Sequence, residues 1–153
     1  MTISIEYASP RHPEIRSLLQ ASHDLMGSLF PAESNHFLEV DALCDASIHF
    51  LGARVDGIYQ ACGALAVKEG YGELKSIFTA PPARGTGLGQ EVIRHLEDTA
   101  RELGLSQLKL ETGSLLNEAQ RLYHRQGFIV CGPFGDYQAA EFSVFMTKDL
   151  TMA

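Results

Sequence analysis

A chain of 153 residues, 45% hydrophobic and 20% charged, has the size and composition of one domain, 1–153, that buries its core without metal or disulfide staples. Its net charge of −7 argues against non-specific binding to nucleic acid or anionic lipid, which relies on clustered Lys and Arg, and no apolar run approaches the ~18 residues of a membrane span. Three isolated cysteines (Cys44, Cys62 and Cys131) form no C-x-x-C pair, so neither a disulfide framework nor a metal site is expected. The start, Met-Thr-Ile-Ser-Ile-Glu, lacks a basic and then apolar leader, and with reduced thiols this points to a cytoplasmic protein.

In chain order, Ile3-Ser-Ile-Glu-Tyr7 alternates as a first strand, and Ser9-Pro-Arg-His-Pro13 turns into a helix near Glu14–Met26 with Ile15, Leu18, Leu19 and Leu25 on its apolar stripe. Pro31 breaks the pattern, and a second helix is predicted near His36–Leu43. Two strands, Ile48–Val55 and Tyr59–Val67, are joined at Asp56-Gly57, a strong hairpin signal. A turn at Glu69–Gly72 leads into a strand at Glu73–Thr79. Leu88, Val92, Leu96, Ala100 and Leu103 then mark a helix ending at Gly104, followed by a strand to Gly113. A short helix near Leu116–Gln126 is capped by Gly127, and Phe128–Cys131 and Glu141–Thr147 supply the last strands.

Between the fourth strand and the long helix lies Thr79-Ala-Pro-Pro-Ala-Arg-Gly-Thr-Gly-Leu-Gly-Gln90. Alternating glycines at a helix start admit close backbone approach to a bulky anion, which the free N–H groups and the helix dipole then hold. A P-loop would continue into Gly-Lys-Ser/Thr, which is absent. A dinucleotide fingerprint would need its third glycine where Gln90 stands.

What remains, Arg84-x-x-Gly-x-Gly89, resembles the acyl-CoA pyrophosphate loop of the GCN5-related N-acetyltransferase (GNAT) family. Downstream, Ala119, Leu122, Tyr123, Gly127 and Phe128 resemble that family's A-x-x-L-Y-x-x-x-G-F segment, in the right order and at about the right separation. Glu73–Ser76, the segment Cys131–Tyr137 and Ser143–Met146 are similar to a bacterial subgroup labelled indole-acetic-acid acetyltransferases. The resemblance implies an α/β fold with a mixed sheet of about seven strands and helices on both faces. It also implies acetyl-CoA as the acetyl donor and an amine as the acceptor. It admits a homodimer and leaves the oligomeric state open.

Acetyl transfer needs a CoA site, an oxyanion donor, an acid for the thiolate and an acceptor for the amine's proton. The resemblance assigns CoA binding to Arg84, Gly85, Thr86, Gly87, Leu88, Gly89 and Gln90. It places oxyanion and pantetheine contacts along the strand edge at Ile77, Phe78 and Thr79. Tyr123 is the expected acid, since a phenol with pKa about 10 can protonate a thiolate. Asn117 lies six residues before Tyr123, one short of the family's pantetheine asparagine, so a helix N-cap is an equal reading. Glu73, eleven residues before Arg84 as in the family's histone-modifying branch, is the expected base; an ion pair with Lys75 explains it equally well. His36 and His49 lie where the family builds its acceptor pocket, and Phe134–Tyr137 reads as a loop over that pocket or as a packed turn.

The cysteines lack a nucleophile motif, so direct attack in a ternary complex is expected rather than an acetyl-enzyme. Two rivals stand: a non-catalytic CoA-binding regulatory module of the same fold, and a nucleotide-binding protein using the glycine loop. The amine itself is not written in the sequence, and neither is the choice between N- and O-transfer.

Overall fold

The computed structural model describes residues 2–151. Its elements are β1 (Ile3–Tyr7), α1 (Pro13–Leu29), α2 (Val40–Leu43), β2 (Ile48–Val55), β3 (Ile58–Val67), β4 (Gly72–Thr79), α3 (Leu88–Glu102), β5 (Gln107–Gly113), α4 (Asn117–Arg125), β6 (Ile129–Cys131) and β7 (Ser143–Asp149). They form one seven-stranded sheet of order β1-β2-β3-β4-β5-β7-β6. Among the described residues only the β4–β5 pairing is parallel. The order of strands and helices is the one the periodicities predict, and the mixed sheet matches the expected fold.

Alternation along β3 divides the core. Ala61 and Leu65 join Leu51, Ala53 and Leu74 against Leu88, Val92, Ile93 and Leu96 of α3. Cys62 and Ala64 face the opposite way, against Ile15, Leu18 and Leu19 of α1. Leu122 and Tyr123 of α4 pack on the α3 side. The sheet is therefore buried on both faces, as a βαβ-containing sheet must be.

One expected element is shorter than the sequence suggests. The helix predicted over 36–43 is a single turn, Val40–Leu43, preceded by a 3₁₀ turn at Ala32–Ser34 and extended backbone. Tertiary contacts outweigh helix propensity here: the Phe37 ring stacks on His23 at 3.9 Å, and the His36 ring meets Tyr137 edge-on at 5.3 Å. A helix would place these neighbours about 100° apart, and the extended chain lets each reach a different wall.

On the α3 side, Glu97 is only 6% exposed. Lys148 Nζ donates to both its oxygens, at 2.9 and 3.0 Å, and to Gln126 O at 2.6 Å, tying α3, β7 and the end of α4 together. Lys148→Met strands that carboxylate. It is expected to cost about 3 kcal/mol, the low end for a broken buried pair, because Arg101 remains 3.6 Å away. Urea denaturation checks this, and a loss within 0.5 kcal/mol, the range of an ordinary surface substitution, would make the tie incidental.

Candidate active site

The site begins where two strands part. β4 and β5 pair only from Gly72↔Leu108 to Leu74↔Leu110, although β4 runs on to Thr79 and β5 to Gly113. Beyond Leu74 each strand keeps its outer partner, so the facing edges diverge with unpaired backbone groups. The bend that opens them is a bulge: Ala64↔Lys75 and Cys62↔Phe78 set three steps on β4 against two on β3, with Ser76 at φ 57°. A serine in the left-handed region is uncommon, and bulges of this kind re-aim strand edges beside functional sites. Ser76 Oγ is buried without a hydrogen-bond partner among the described residues.

A cavity of about 110 Å³ lies at this seam. Leu74, Lys75, Ser76 and Ile77 of β4 line it, together with Glu111, Thr112 and Gly113 of β5. From α4 come Ala119 and Tyr123, and from α1 and its exit His23, Met26, Phe30, His36 and Phe37. The cavity thus reaches through the sheet, with the phenol on the α3–α4 side and a carboxylate on the α1 side.

Tyr123 is 7% exposed, its ring fixed edge-on to Phe128 at 5.9 Å. Burial, then the negative charge of Glu111, hold its pKa above the usual tyrosine value, so it remains a proton donor. Burial also raises the Glu111 carboxyl, while the Ser143 hydroxyl, His36 and Lys75 oppose the rise. Ser143 Oγ sits beside it without a well-formed hydrogen bond.

Glu73, the expected base, occupies different surroundings. It is 4% exposed, takes a hydrogen bond from Lys75 Nζ at 3.0 Å and another from Tyr137 Oη at 2.6 Å, and does not line the cavity. Tyr137 Oη also accepts from Lys75 Nζ at 2.9 Å. The ion pair anticipated as the alternative reading is present, and Tyr137 completes it. The segment Phe134–Tyr137 is folded over this face, with Tyr137 against Phe134 at 5.1 Å and Phe145 at 5.5 Å. Of the two histidines singled out, His36 reaches the cavity. His49 instead pairs through Nδ1 with Tyr7 Oη at 3.0 Å.

The glycine loop stands where β4 delivers the chain to α3. Arg84 N–H bonds Pro81 O, and Glu91 N–H bonds Gly87 O; between them no backbone N–H from 85 to 90 finds a backbone acceptor among the described residues. Gly85 and Gly87 have φ of 78° and 85°, and a Cβ on either would meet nothing within 4 Å. They shape an open fan of donors at the N-terminus of a 15-residue helix. Gly89 differs: a Cβ there would lie 3.2 Å from Thr79 Oγ1 and 3.3 Å from Leu122. It lets α3 pack closely on β4 and α4. Thr86 Oγ1 closes the loop onto Ala83 O at 2.6 Å, and Arg84 Nε onto Thr79 O at 3.0 Å. Leu88 is buried, and Gln90 half-buried, in the first turn of α3. Asn117 is exposed as the first residue of α4; Leu116 holds the N-cap position, so the capping alternative for Asn117 does not apply.

These features fit a long anionic thioester: a donor fan for phosphates, an unpaired strand edge for amide groups, and a phenol at the cavity. Glu111 is the polar residue that sequence reasoning passed over. The signal was a charged residue on a strand whose alternate positions, Leu108 and Leu110, are core. Cys62 is buried with its thiol pushed up to about 12 by burial, which removes it as a nucleophile near neutral pH.

Residues 13–128 match the model of the acetyltransferase (GNAT) family. The sequence is 41% identical to the IAA acetyltransferase of Azospirillum brasilense across 97% of this chain and 98% of that one. It is 35% identical to the N-acetyltransferase YsnE of Bacillus subtilis, over 90% and 93%. Among solved structures, a Klebsiella pneumoniae protein described as an acyl-CoA N-acyltransferase superposes with a TM-score of 0.83 at 30% identity, covering 97% and 98%. The PaiA N-acetyltransferase of Thermoplasma acidophilum, solved with coenzyme A, gives 0.76 at 16% identity over 97% and 99%, a likeness of fold.

Proposed function

The chain belongs to the acetyltransferase (GNAT) family, and we propose that it transfers the acetyl group of acetyl-CoA to a primary amine by direct attack in a ternary complex. The observation that carries this reading is the cavity through the β4–β5 seam, which joins the Tyr123 phenol on one side of the sheet to a polar acceptor side on the other. The CoA phosphates lie on the N–H groups of 85–90, flanked by Arg84 and Thr86, and the pantetheine arm runs along the β4 edge at Ile77, Phe78 and Thr79 past Asn117. The amine nitrogen attacks the thioester carbon, β4 edge N–H groups take the oxyanion, and C–S cleavage sends a thiolate out beside Tyr123, which donates its proton. The acetyl transfer named for the Azospirillum relative and the coenzyme A held by the Thermoplasma protein support acetyl-CoA as the donor.

Calorimetry with acetyl-CoA, ATP and NAD, followed by thiol release from acetyl-CoA on adding amines, tests it. Binding of acetyl-CoA alone, with amine-dependent thiol release, is expected. Binding without release by any amine would favour a regulatory CoA-binding module, and preferential binding of ATP would favour a nucleotide protein.

Two carboxylates compete for the amine's proton. Glu73 has the sequence position, but Glu111 has the cavity, and its upward shift brings it closer to the pKa a base needs. If Glu111 is the base, kcat/KM rises with pH as the carboxyl ionises, with the rise displaced upward from an ordinary glutamate. Glu111→Gln then removes that limb and recovers activity at high pH, where free amine is abundant. If Glu73 is the base, Glu73→Gln does so instead. A structural Glu73 predicts lower melting temperatures for both Glu73→Gln and Lys75→Met and an unchanged pH profile.

A further inference from the structure

The acceptor side of the seam is narrow, and its walls are held by contacts among themselves. The Phe30 ring lies against Gly113 so closely that any side chain at 113 would displace it. Phe142 tilts against Phe30 at 5.8 Å, and the His23–Phe37 stack closes another side. The cavity is open to solvent at its mouth, and its volume of about 110 Å³ is below the ~150 Å³ of an apolar cavity that accepts benzene. Its inner end therefore suits a slim alkyl chain better than an aromatic ring.

Charge narrows the class further. Among the described residues Glu111 forms no ion pair. Lys75, the cation lining the same cavity, is already committed to Glu73 and Tyr137. When Glu111 is ionised, the cavity wall carries a carboxylate that no side chain of the described residues pairs. A ligand cation there gains a partner, whereas a second carboxylate beside Glu111 is a like charge in a low-dielectric space.

Resting on the transfer reading above, we propose that the acceptor is an open-chain primary ammonium with no carboxylate beside its amine, received at Glu111 through the aromatic mouth formed by Phe30, Phe37 and Phe142. Bulk further along the molecule stays outside the cavity, so the selection acts on the first few atoms next to the nitrogen.

The probes are n-butylamine, norvaline (the same chain with an α-carboxylate) and indole-acetate, tested with saturating acetyl-CoA and rates referred to the free-amine fraction. The expected result is a kcat/KM for n-butylamine at least ~10-fold above norvaline, with indole-acetate inert. Glu111→Gln should bring that ratio towards one while acetyl-CoA affinity is retained, and Glu111→Asp should preserve it, which separates lost charge from lost folding. Norvaline matching n-butylamine, consumption of indole-acetate, or an intact preference in a folded Glu111→Gln protein would each overturn the proposal. Absence of turnover with n-butylamine in a protein that binds acetyl-CoA overturns it too, and leaves acetyl-CoA use standing. Failure to bind acetyl-CoA strikes the transfer reading itself.

Discussion

Gly87→Val is expected to raise the dissociation constant for acetyl-CoA by at least ~100-fold while the protein stays folded. The backbone at 87 has φ 85°, a region that costs an ordinary L-residue roughly 1–2 kcal/mol and a β-branched one more. No atom lies within 4 Å of the added Cβ, so the strain does not come from a clash and the loop can relax locally. Relaxation turns the N–H groups of 85–90 away from their common focus. Losing two charge-assisted hydrogen bonds at about 1.5–3 kcal/mol each gives a loss of 10² or more. Gly70 provides the control. It too has a positive φ, 86°, and open space around it, but it sits in the turn before β4, at the closed end of the seam. Gly70→Val should match the stability loss of Gly87→Val and leave acetyl-CoA binding unchanged. Calorimetry on both variants decides it. Unaltered affinity in a folded Gly87→Val protein would remove the loop from the phosphate site.

How far the sequence discloses this site depends on the range of the interaction concerned. The glycine loop was legible because its determinants are local: backbone conformation at 85 and 87 and the free donors of one helix start are written within a few residues. The strands around it were legible for the same reason, through alternation and the Asp56-Gly57 turn. Even so, the three glycines look equivalent in sequence, and only the fold separates Gly89, helical and wedged between Thr79 and Leu122, from the two with positive φ.

The acceptor side was much less legible, because it is assembled from distant segments. Glu73, Lys75 and Tyr137 meet across separations of 62 and 64 residues, and no local pattern distinguishes a buried Tyr–Glu–Lys cluster from a surface pair. The sequence places His36 and Phe37 in a helix, because their contacts with Tyr137 and His23 lie beyond any sequence window. Glu111 shows the general difficulty. On an alternating strand it reads as a solvated position, and only the divergence of β4 from β5 turns that position into a cavity wall. The bulge at Ser76 that causes the divergence has no composition signal, since serine is neither glycine nor asparagine.

Tyr123→Phe is expected to lower kcat by about ten- to a thousand-fold with little change in acetyl-CoA affinity, consistent with general-acid help of roughly 10²–10⁴. The substitution removes one oxygen and keeps the ring, so the edge-on contact with Phe128 at 5.9 Å and the packing of α4 survive. On the proposed mechanism it removes the donor that meets the departing thiolate. The direction of the pKa shift adds a second observable. Burial and the Glu111 charge both favour the neutral phenol, so the proton is held on Tyr123 to higher pH than on a solvent-exposed tyrosine. The wild-type kcat should therefore show no alkaline fall through pH 10, about where an ordinary phenol ionises. Removing the neighbouring charge, as in Glu111→Gln, should lower the tyrosine's pKa and bring any such fall to lower pH. Single-turnover kinetics must first establish that chemistry limits the rate, since product release would hide the effect. With that shown, near-native turnover in Tyr123→Phe means the thiolate leaves unprotonated or takes its proton from water, and Tyr123 then serves only as a wall between α4 and the sheet.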